Sequence, residues 1–277
     1  MKARAELAEG PIITFLLPFY NEQGYIGRTM ASLAAQTDRR FRLFLIDNGS
    51  TDKGRDEALD AAAAMPDIEM TVIEEPTPGK IFAMKTGFAE VVTPYVGTMD
   101  ADTIYPPSYV STCLAMFERN QSASCVMAVA LTGDPRSIGN RLRRLRTIFY
   151  GALFPNRAHS GGCGQAFVTS ALRTVGGFDP AIWPFVLEDH EVIFRISRNG
   201  PILYSHHHFC STADRRADRR NVSWNRAERI AYKVMPHGMI GWYMYRYLAT
   251  RFQARGKHNA TLRNRNWDTD PLDAGEP

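Results

Sequence analysis

The sequence predicts an α/β fold with a mostly parallel central sheet, helices on both faces of the sheet and a helical C-terminal extension. Apolar, β-prone segments alternate with helical segments over residues 12–100, which is the pattern of successive βαβ units with right-handed crossovers. Two of these strands run directly into Asp47 and Asp100, as buried strands do when they end at a ligand site. The chain has 277 residues, 44% of them hydrophobic, and is long enough to bury a full core.

Strands and helices alternate regularly up to Asp100. The strands are predicted at residues 12–17, 41–47, 68–73 and 95–100. The helices between them are predicted at residues 24–36, 53–64 and 80–91. Pro18 stops the first strand, and the spacing of Ile26, Met30 and Leu33 supports the first helix.

The second half of the sequence is less regular. Helices are predicted at residues 107–119, 141–154, 188–198, 226–234 and 239–252. Strands are predicted at residues 123–130, 165–168 and 201–208. We assign residues 1–210 to one domain and residues 211–265 to a basic helical extension. Residues 266–277, which are rich in Asp, Pro and Gly, are expected to form a disordered tail.

The uneven distribution of charge favours some partners over others. The net charge is +4, yet residues 135–178 and residues 229–266 contain several arginines and neither Asp nor Glu. Basic faces of this kind suit phosphate-bearing ligands or anionic lipid. Nucleic-acid binding is not expected, because no aromatic stacking platforms are interleaved with the arginines.

The cysteines and the N-terminus favour a reducing, cytoplasmic location. The four cysteines are scattered, without a CxxC spacing or a disulfide framework: Cys113, Cys125, Cys163 and Cys210. Cys163 lies in a Gly-rich loop and is interpreted as a packing residue, because no base is paired with it. Residues 1–10 lack the apolar core of a signal peptide, and no apolar run reaches the roughly 18 residues of a transmembrane helix.

Asp100 and Asp102 are the strongest candidates for a metal site. They follow an apolar strand, and strand alternation is expected to point both carboxylates to one side. Two like charges this close raise each other's pKa unless a cation lies between them. Mg²⁺ or Mn²⁺ is the expected cation, because it prefers carboxylate oxygen and leaves positions open for phosphate. The alternative is an ordinary Asp-rich surface turn.

Glu22 and Asp47 follow two other predicted strands. The carboxyl ends of parallel strands meet at one edge of a sheet, so these side chains are expected to lie near Asp100 and Asp102. Four carboxylates at one edge indicate a ligand site rather than helix capping.

The order of these motifs resembles that of family 2 glycosyltransferases with the GT-A fold. The first half of the chain carries LPFYNE at residues 17–22, DNGSTD at 47–52 and DAD at 100–102. The second half carries VGGFD at 175–179 and ED at 188–189. The combined order is far more specific than any one of these motifs.

The resemblance covers about residues 12–200 and implies the GT-A-type nucleotide-diphospho-sugar transferase fold. It implies a donor half over about residues 10–105 and an acceptor half over about residues 106–210. Processive members carry a Gln-x-x-Arg-Trp segment and flanking membrane spans, which are missing here, so transfer of one sugar is expected. That region instead carries Arg215, Arg216, Arg219, Arg220 and Trp224.

The resemblance also implies roles for individual residues. The nucleotide-sugar donor is expected to contact Pro18, Tyr20, Glu22, Asp47, Lys80, Asp100 and Gly162. The metal ion, Mn²⁺ or Mg²⁺, is expected to bind Asp100 and Asp102. Asp189 is the expected catalytic base, and Glu188 and Trp183 are expected to contact the acceptor. Asp47 would accept a hydrogen bond from a uracil-type base, which favours a UDP-sugar.

Together these roles imply an inverting, non-processive and metal-assisted glycosyltransferase. It is expected to move one sugar from a UDP-sugar to a hydroxyl of a lipid-linked or glycan acceptor of the cell envelope. Inversion follows from single displacement, in which a base opposite the leaving group takes the acceptor proton. The alternative is a catalytically silent GT-A-like domain that binds nucleotide-sugars or docks on membranes.

Two further segments have two interpretations each. His206 and His208 share one face of a predicted strand and either add a metal ligand or form a strand-end polar patch. Residues 238–248, rich in Trp and Tyr, form either an interfacial helix in peripheral contact with an anionic membrane or a helix packed on the sheet. A solvated helix face is expected to carry Arg143, Arg144 and Arg146.

Overall fold

The computed structural model describes residues 10–213 and 224–260, and one eight-stranded sheet forms its centre. The strands are β1 Ile13–Phe19, β2 Phe41–Asp47, β3 Met70–Glu74, β4 Tyr95–Met99, β5 Thr103–Ile104, β6 Cys125–Leu131, β7 Gly164–Val168 and β8 Ile202–Thr212. Their order across the sheet is β3-β2-β1-β4-β7-β6-β8-β5.

Helices connect the strands and cover the sheet. The first eight are α1 Ile26–Ala34, α2 Gly54–Ala63, α3 Lys80–Ala89, α4 Tyr109–Arg119, α5 Ile138–Leu153, α6 Thr169–Thr174, α7 Glu188–Ile196 and α8 Arg226–Val234. The C-terminal helical segment consists of a 3₁₀ turn His237–Met239, α9 Ile240–Trp242, a π-helical stretch Tyr243–Leu248 and α10 Ala249–Ala254. Among the described helices, none combines the length and the hydropathy that crossing a bilayer requires.

The direction of the strands confirms the predicted α/β fold with a mostly parallel sheet. β1 is parallel to β2 and to β4, and β2 is parallel to β3. β7 runs antiparallel to β4 and β6, and the short β5 runs antiparallel to β8. β6 and β8 are again parallel. The carboxyl ends of β1, β2 and β4 therefore lie side by side.

Apolar layers on both faces hold the sheet between the helices. All seven residues of β1 are buried, as expected for a central parallel strand covered on both sides. Phe15 and Leu17 pack in one layer with apolar residues of α1 and α4. Leu16 points the other way, into a second layer with α3 and α7. This alternation follows from the two-residue period of a strand.

A third apolar cluster joins the C-terminal helices to α7. It contains Trp183 and Phe194 together with Tyr232, Tyr243 and Phe252. Residues 238–248 therefore pack their inner side against this cluster, while Trp242 on the outer side is 54% exposed. Membrane contact by that segment stays a prediction, as does the domain boundary at residue 210.

Two strand ends differ from the prediction, and both differences affect the site. β4 ends at Met99, and residues 100–102 form a turn into β5. Strand alternation therefore does not orient Asp100 and Asp102 as we expected. β8 continues to Thr212 because its last residues pair with β5, so the histidines at 206–208 lie within the strand.

Some predictions lie outside the described residues. These are the disordered tail at 266–277 and the arginine-rich region with Arg215, Arg216, Arg219 and Arg220.

Candidate active site

The carboxyl ends of β1, β2 and β4 lie at one edge of the sheet. We call this edge the donor edge, because it carries most of the residues predicted to bind the donor. Phe19 pairs with Asp47 in the β1–β2 register, and Leu16 pairs with Thr98 in the β1–β4 register. Asp100 follows two residues after Thr98 and so lies close to the level of Pro18. Parallel pairing alone brings these residues to one edge.

Hydrogen bonds tie the turn after β1 to the turn after β2. The Asn21 Oδ1 atom accepts from the backbone N–H of Thr51, and the Asn21 N–H donates to Ser50 Oγ. The N–H of Gln23 donates to Asp52 Oδ2. Asn21 has a left-handed backbone with φ of 51°, which Asn tolerates better than most residues. These bonds fix the two turns relative to each other.

The predicted base-pocket residues lie around these turns. Asp47 is buried, and its Oδ1 accepts from the backbone N–H of Ser50. Tyr20 is partly buried, and Glu22 is buried where the chain enters α1. The structure thus places Tyr20 and Glu22 just after β1 and Asp47 at the end of the adjacent strand β2.

Lys80 brings a positive charge to the donor edge. Asn48 accepts from the backbone N–H of Gly79 and so fixes the loop just before α3. Lys80 opens α3, and its Nζ lies 2.5 Å from Asp100 Oδ1. Burial acts to lower the pKa of Lys80. The negative charges of Asp100, Glu188 and Asp189 outweigh that effect, so the pKa of Lys80 lies above its ordinary value. One ammonium group is therefore shared by carboxylates of both halves of the chain.

Tyr105 links the Asp100 turn to the Gly-rich loop at 161–164. The backbone N–H of Asp100 donates to the Tyr105 hydroxyl over 2.9 Å, and that hydroxyl donates to the carbonyl of Cys163 over 2.7 Å. Asp102 is buried, and its carbonyl accepts from the N–H of Ala213 at the end of β8. The turn is therefore held from two sides.

Asp100 and Asp102 are the candidate ligands for a divalent cation. In the described part of the chain, no group of three or more His, Cys, Asp or Glu side chains is placed to hold a metal ion. Both carboxylates lie within electrostatic range of the Cys210 thiol, whose pKa is raised by its hydrogen bond with Cys163, by burial and by their charges. Mg²⁺ commonly uses one or two carboxylates and takes its other ligands from substrate phosphates and water. Two neighbouring carboxylates match that requirement.

Gly162 lies against Asp189. A Cβ atom at Gly162 would lie 2.7 Å from the Asp189 Cβ, so no larger residue fits without a shift. The Gly162 carbonyl accepts from the Thr98 hydroxyl over 2.6 Å, and Gln165 Nε2 donates to the Asp189 carbonyl. Asp189 is thereby placed beside the end of β4.

Glu188 and Asp189 open α7 and differ in their ionisation. Burial, and then the charge of Asp189, raise the pKa of Glu188 to about 7. Burial also acts to raise the pKa of Asp189, but the charge and hydrogen bond of His190, with the charge of Lys80, hold it below its ordinary value. Asp189 is therefore the ionised member of the pair at neutral pH.

Sequence reasoning missed two residues that hold this pair. His190 Nδ1 lies 2.9 Å from Asp189 Oδ1, and the His190 ring packs edge-on against Trp224 and Tyr232. Asn259 donates through Nδ2 to Glu188 Oε2 over 3.1 Å. His190 could have been found because it follows the ED motif directly, whereas no local pattern marks Asn259.

Trp183 does not line the site, which corrects our prediction that it contacts the acceptor. Its side chain is 1% exposed, and its indole N–H donates to the carbonyl of Val186. The ring packs edge-on against Phe185 and Phe252. An aromatic residue close to the ED motif looked like an acceptor platform, but the third apolar cluster buries it.

The histidines of β8 have separate environments. His208 is fully buried against the Tyr109 ring, and burial lowers its pKa to about 3. Burial and the charge of Arg144 lower the pKa of His206. Cys163 is buried in the main core with its Sγ 3.3 Å from that of Cys210, and both are free thiols.

Residues 14–176, more than half of the chain, match the sequence model of a known enzyme family. The chain belongs to glycosyl transferase family 2. The match to family 2 runs from the second residue of β1 through β7, and therefore includes the donor edge and the Gly-rich loop. Glu188 and Asp189 lie just beyond it.

A curated member of family 2 shows the extent of the sequence likeness. The undecaprenyl-phosphate 4-deoxy-4-formamido-L-arabinose transferase of Shewanella sediminis is 30% identical over 110 residues, which are 38% of this chain and 33% of the relative. The chain spans about a third of the length of the curated relatives it matches.

Solved structures show the same fold. The mannosyltransferase PcManGT of Pyrobaculum calidifontis, in complex with GDP-Man and Mn²⁺, has a TM-score of 0.62 at 19% identity, over 90% of this chain and 68% of that one. TarS of S. aureus with UDP-GlcNAc has a TM-score of 0.57 at 15% identity, over 87% and 72% of the two chains. The GT-A fold implied by the sequence is confirmed.

Proposed function

We propose that this family 2 member is an inverting, metal-assisted glycosyltransferase that moves one sugar from a UDP-sugar to an acceptor hydroxyl. The observation that carries the proposal is that Lys80 interacts with carboxylates from both the donor half and the acceptor half of the chain. Its ammonium group lies 2.5 Å from the Asp100 carboxylate and within electrostatic range of Glu188 and Asp189. A donor diphosphate at Asp100 would therefore lie beside the proposed base.

Single displacement accounts for the arrangement of charges. The acceptor oxygen forms a bond to the anomeric carbon while the bond from that carbon to the diphosphate oxygen breaks, and the bonding electrons leave with the diphosphate. Asp189 takes the acceptor proton, and its lowered pKa keeps it ionised at neutral pH, as a base must be to accept a proton. Lys80 stays protonated and stabilises negative charge at the leaving group.

Asp100 and Asp102 are the residues that would hold Mn²⁺ or Mg²⁺. When bound, the cation supplies Lewis-acid stabilisation of the charge on the departing diphosphate. A solved neighbour contains Mn²⁺ with a nucleotide-sugar, which supports a divalent cation in this fold. Neighbours contain either GDP-Man or UDP-GlcNAc, so the preference for UDP rests on the predicted contact between Asp47 and a uracil-type base.

The proposed acceptor is a lipid-linked or glycan hydroxyl of the cell envelope, contacted by Glu188. A relative named for undecaprenyl phosphate supports a lipid-linked acceptor. We keep a cytoplasmic location, peripheral to the inner face of the membrane, as part of the proposal. The chain lacks the Gln-x-x-Arg-Trp segment of processive members, which supports transfer of a single sugar.

A catalytically silent nucleotide-sugar-binding domain is the second candidate. Both candidates require donor binding, so only turnover separates them. We would measure thermal stabilisation by UDP-glucose, UDP-N-acetylglucosamine and GDP-mannose, with Mn²⁺ and with a chelator, and then follow donor hydrolysis by NMR. An active enzyme should hydrolyse its donor slowly and release the inverted sugar first, because water replaces the acceptor. Binding without hydrolysis favours the silent domain.

Asp189→Asn tests the assigned base. We expect unchanged stabilisation by the donor and about a thousandfold slower hydrolysis, the usual range for loss of a general base. Asp67→Asn is the control, because Asp67 pairs with Arg39 on the surface away from the donor edge. Wild-type hydrolysis by Asp189→Asn, or release of the retained sugar, would remove the proposed mechanism.

A further inference from the structure

Helix α5 has its polar side turned inward. Its buried residues are Asn140, Arg144, Thr147 and Gly151. A helix that covers a sheet ordinarily buries its apolar stripe, so this arrangement is the reverse of the expected one. It also corrects the expectation that Arg144 lies on a solvated face.

Specific contacts fix the inner side of α5. Asn140 Nδ2 donates to the carbonyls of Thr132 and Asp134. The Arg144 guanidinium donates to the carbonyls of His206 and Pro135. Because Asn140 and Arg144 together donate to four carbonyls in this orientation, turning the helix over would leave those carbonyls without these partners.

Close packing at the far end of the helix fixes the same orientation. A Cβ atom at Gly151 would lie 2.6 Å from the ring of Tyr204 on β8, so only glycine allows this approach. Near the other end, the Arg144 guanidinium lies 4.9 Å above the Phe209 ring. Both ends of α5 are therefore seated on β8 with the polar side inward.

The outward side of α5 carries a continuous apolar stripe. Its members are between 55% and 77% exposed: Ile138, Leu142, Leu145, Phe149 and Leu153. Their spacing of four, three, four and four residues keeps them on one side of the helix, over a length of roughly 22 Å at about 1.5 Å per residue. Isolated exposed apolar residues are normal, but a stripe of this length indicates an interaction surface.

Positive charge borders the stripe. Arg141 and Arg146 are exposed, and helical geometry places them on opposite flanks of the stripe. Residues 135–178 contain no Asp or Glu, so the helix itself offers no acidic partner. Apolar residues between arginines are typical of helices that lie in a membrane interface.

Helix α8 extends the same surface. Its residues Ile230 and Val234, four apart, are 62% and 67% exposed. The Arg157 guanidinium lies over both the Phe154 ring, directly after α5, and the Tyr232 ring of α8, so the C-terminal end of α5 lies beside α8. The two helices together present apolar side chains among positive charges.

We propose that α5, with the exposed side of α8, docks on an anionic lipid surface. A second copy of the chain is a poorer occupant, because a symmetric contact of α5 with α5 would place its arginines together without neutralising acids. Nucleic acid is a poorer occupant as well, because an apolar stripe gains nothing from phosphate. Anionic lipid satisfies both features, since the apolar residues enter the acyl region and the arginines meet the headgroups.

The docking surface lies next to the acceptor side of the site. The inner side of α8 contributes Tyr232, whose hydroxyl accepts from the backbone N–H of Ala158 and whose ring packs against His190. His190 contacts the proposed base Asp189. A lipid-borne acceptor could therefore reach the base from this surface, a consequence that rests on the proposed function, whereas docking itself does not.

Co-sedimentation with vesicles tests docking without any requirement for turnover. We expect the full chain to bind vesicles of phosphatidylglycerol and phosphatidylcholine and to bind pure phosphatidylcholine much more weakly. Phe149→Ser should lower the partition coefficient about tenfold, because the ring no longer enters the apolar region. Arg141→Gln with Arg146→Gln should lower it about 25-fold, at about fivefold for each charge near the surface.

Matched variants elsewhere on the surface separate specific docking from general effects. Val92→Ser removes another exposed apolar residue, and Arg28→Gln with Arg119→Gln removes two exposed charges from other helices. These variants should bind vesicles as the wild type does. Equal losses in all variants, or no binding to anionic vesicles, would overturn the proposal. So would a dimer in sedimentation velocity that Phe149→Ser abolishes.

Discussion

Asp47 and Asp100 are brought to one edge by strands that pair within the first 105 residues, whereas Glu188 is bonded from the far end of the chain. Asp47 ends β2 and Asp100 follows β4, the two parallel strands on either side of β1, and the Asp100 N–H is bonded to Tyr105, five residues away. Glu188 bonds with Asn259, which is 71 residues away. The donor edge is thus a property of the sheet, and the acceptor side is a property of the whole chain.

This difference shows where each half is vulnerable. Loss of one hydrogen bond at the donor edge leaves the parallel pairing that brings the strand ends together. On the acceptor side, the ionisation of Asp189 depends on His190, which in turn is packed by Trp224, just before α8, and by Tyr232 of α8. We therefore expect changes on the acceptor side to appear in pH profiles, and changes at the donor edge to appear in donor binding.

Among the variants that test this comparison, Lys80→Met should have the largest effect after Asp189→Asn, because Lys80 is the group shared by both halves. The substitution removes the ammonium group that pairs with Asp100 and interacts electrostatically with Glu188 and Asp189. We expect kcat/KM to fall about a hundredfold, the usual scale for loss of one group that stabilises the leaving charge. Donor titration and hydrolysis rates measure this.

Lys85→Met is the matched control for that variant. Lys85 lies on the same helix, but its ammonium group pairs with Asp179, and its side chain is more than half exposed. We expect its kcat/KM to stay within about twofold of the wild type, as for most surface changes. Equal losses of kcat/KM in both variants would show that the substitutions act by disturbing α3, not by removing the charge of Lys80.

The donor edge could be predicted from the sequence because it follows from strand ends. Asp47 and Asp100 are visible as the first polar residues after apolar runs, and parallel pairing brings them together. The turn at 100–102 was not visible, because its conformation depends on the pairing of β5 with the end of β8. Asn259 was not visible either, since its contact joins segments that no local pattern connects.

The apolar residues of α5 and Trp183 show a second limit of sequence reasoning. The spacing of apolar residues identifies a helix, but it does not state which side faces the core. In α5 the inward side is chosen by Asn140, Arg144 and Gly151, whose partners lie on other elements. Trp183 is the reverse case, an aromatic residue near the site motif that the C-terminal helices bury.

His190→Phe should shift the pH dependence of turnover while leaving donor binding intact. The phenyl ring keeps the packing against Trp224 and Tyr232 but gives Asp189 no side-chain donor. The pKa of Asp189 should then rise, because burial is no longer opposed by His190. A base must be ionised, so the acidic limb of the hydrolysis profile should move up by about one pH unit.

His190→Asn distinguishes this effect from a structural one. Its amide nitrogen can replace the imidazole Nδ1 as a donor to Asp189, so the acidic limb should return most of the way to that of the wild type. A purely structural role would instead lower the rate of both variants equally at every pH, without moving the limb.

Glu188→Gln is expected to act on stability rather than on turnover. It should stabilise the folded protein above the pH at which Glu188 loses its proton. Burial and the charge of Asp189 raise the pKa of Glu188 from 4.5 to about 7. Between these values the folded chain binds a proton that the unfolded chain has released, so stability falls as the pH rises through this window. Gln is always neutral and can still accept a hydrogen bond from Asn259. The variant therefore does not lose stability as the pH rises through this window.

We expect Glu188→Gln to unfold about 5 °C above the wild type at pH 8, for a gain on the order of 2 kcal/mol. Toward pH 4.5 the gain should approach zero, because the wild-type side chain is then protonated in the fold. Asp189→Asn is the control of opposite sign: its carboxylate has a lowered pKa, so replacement should destabilise the protein at pH 8. An equal shift of the melting temperature for Glu188→Gln at both pH values would mean that the charge of Glu188 does not destabilise the folded protein. The proposed difference in ionisation between Glu188 and Asp189 would then be wrong.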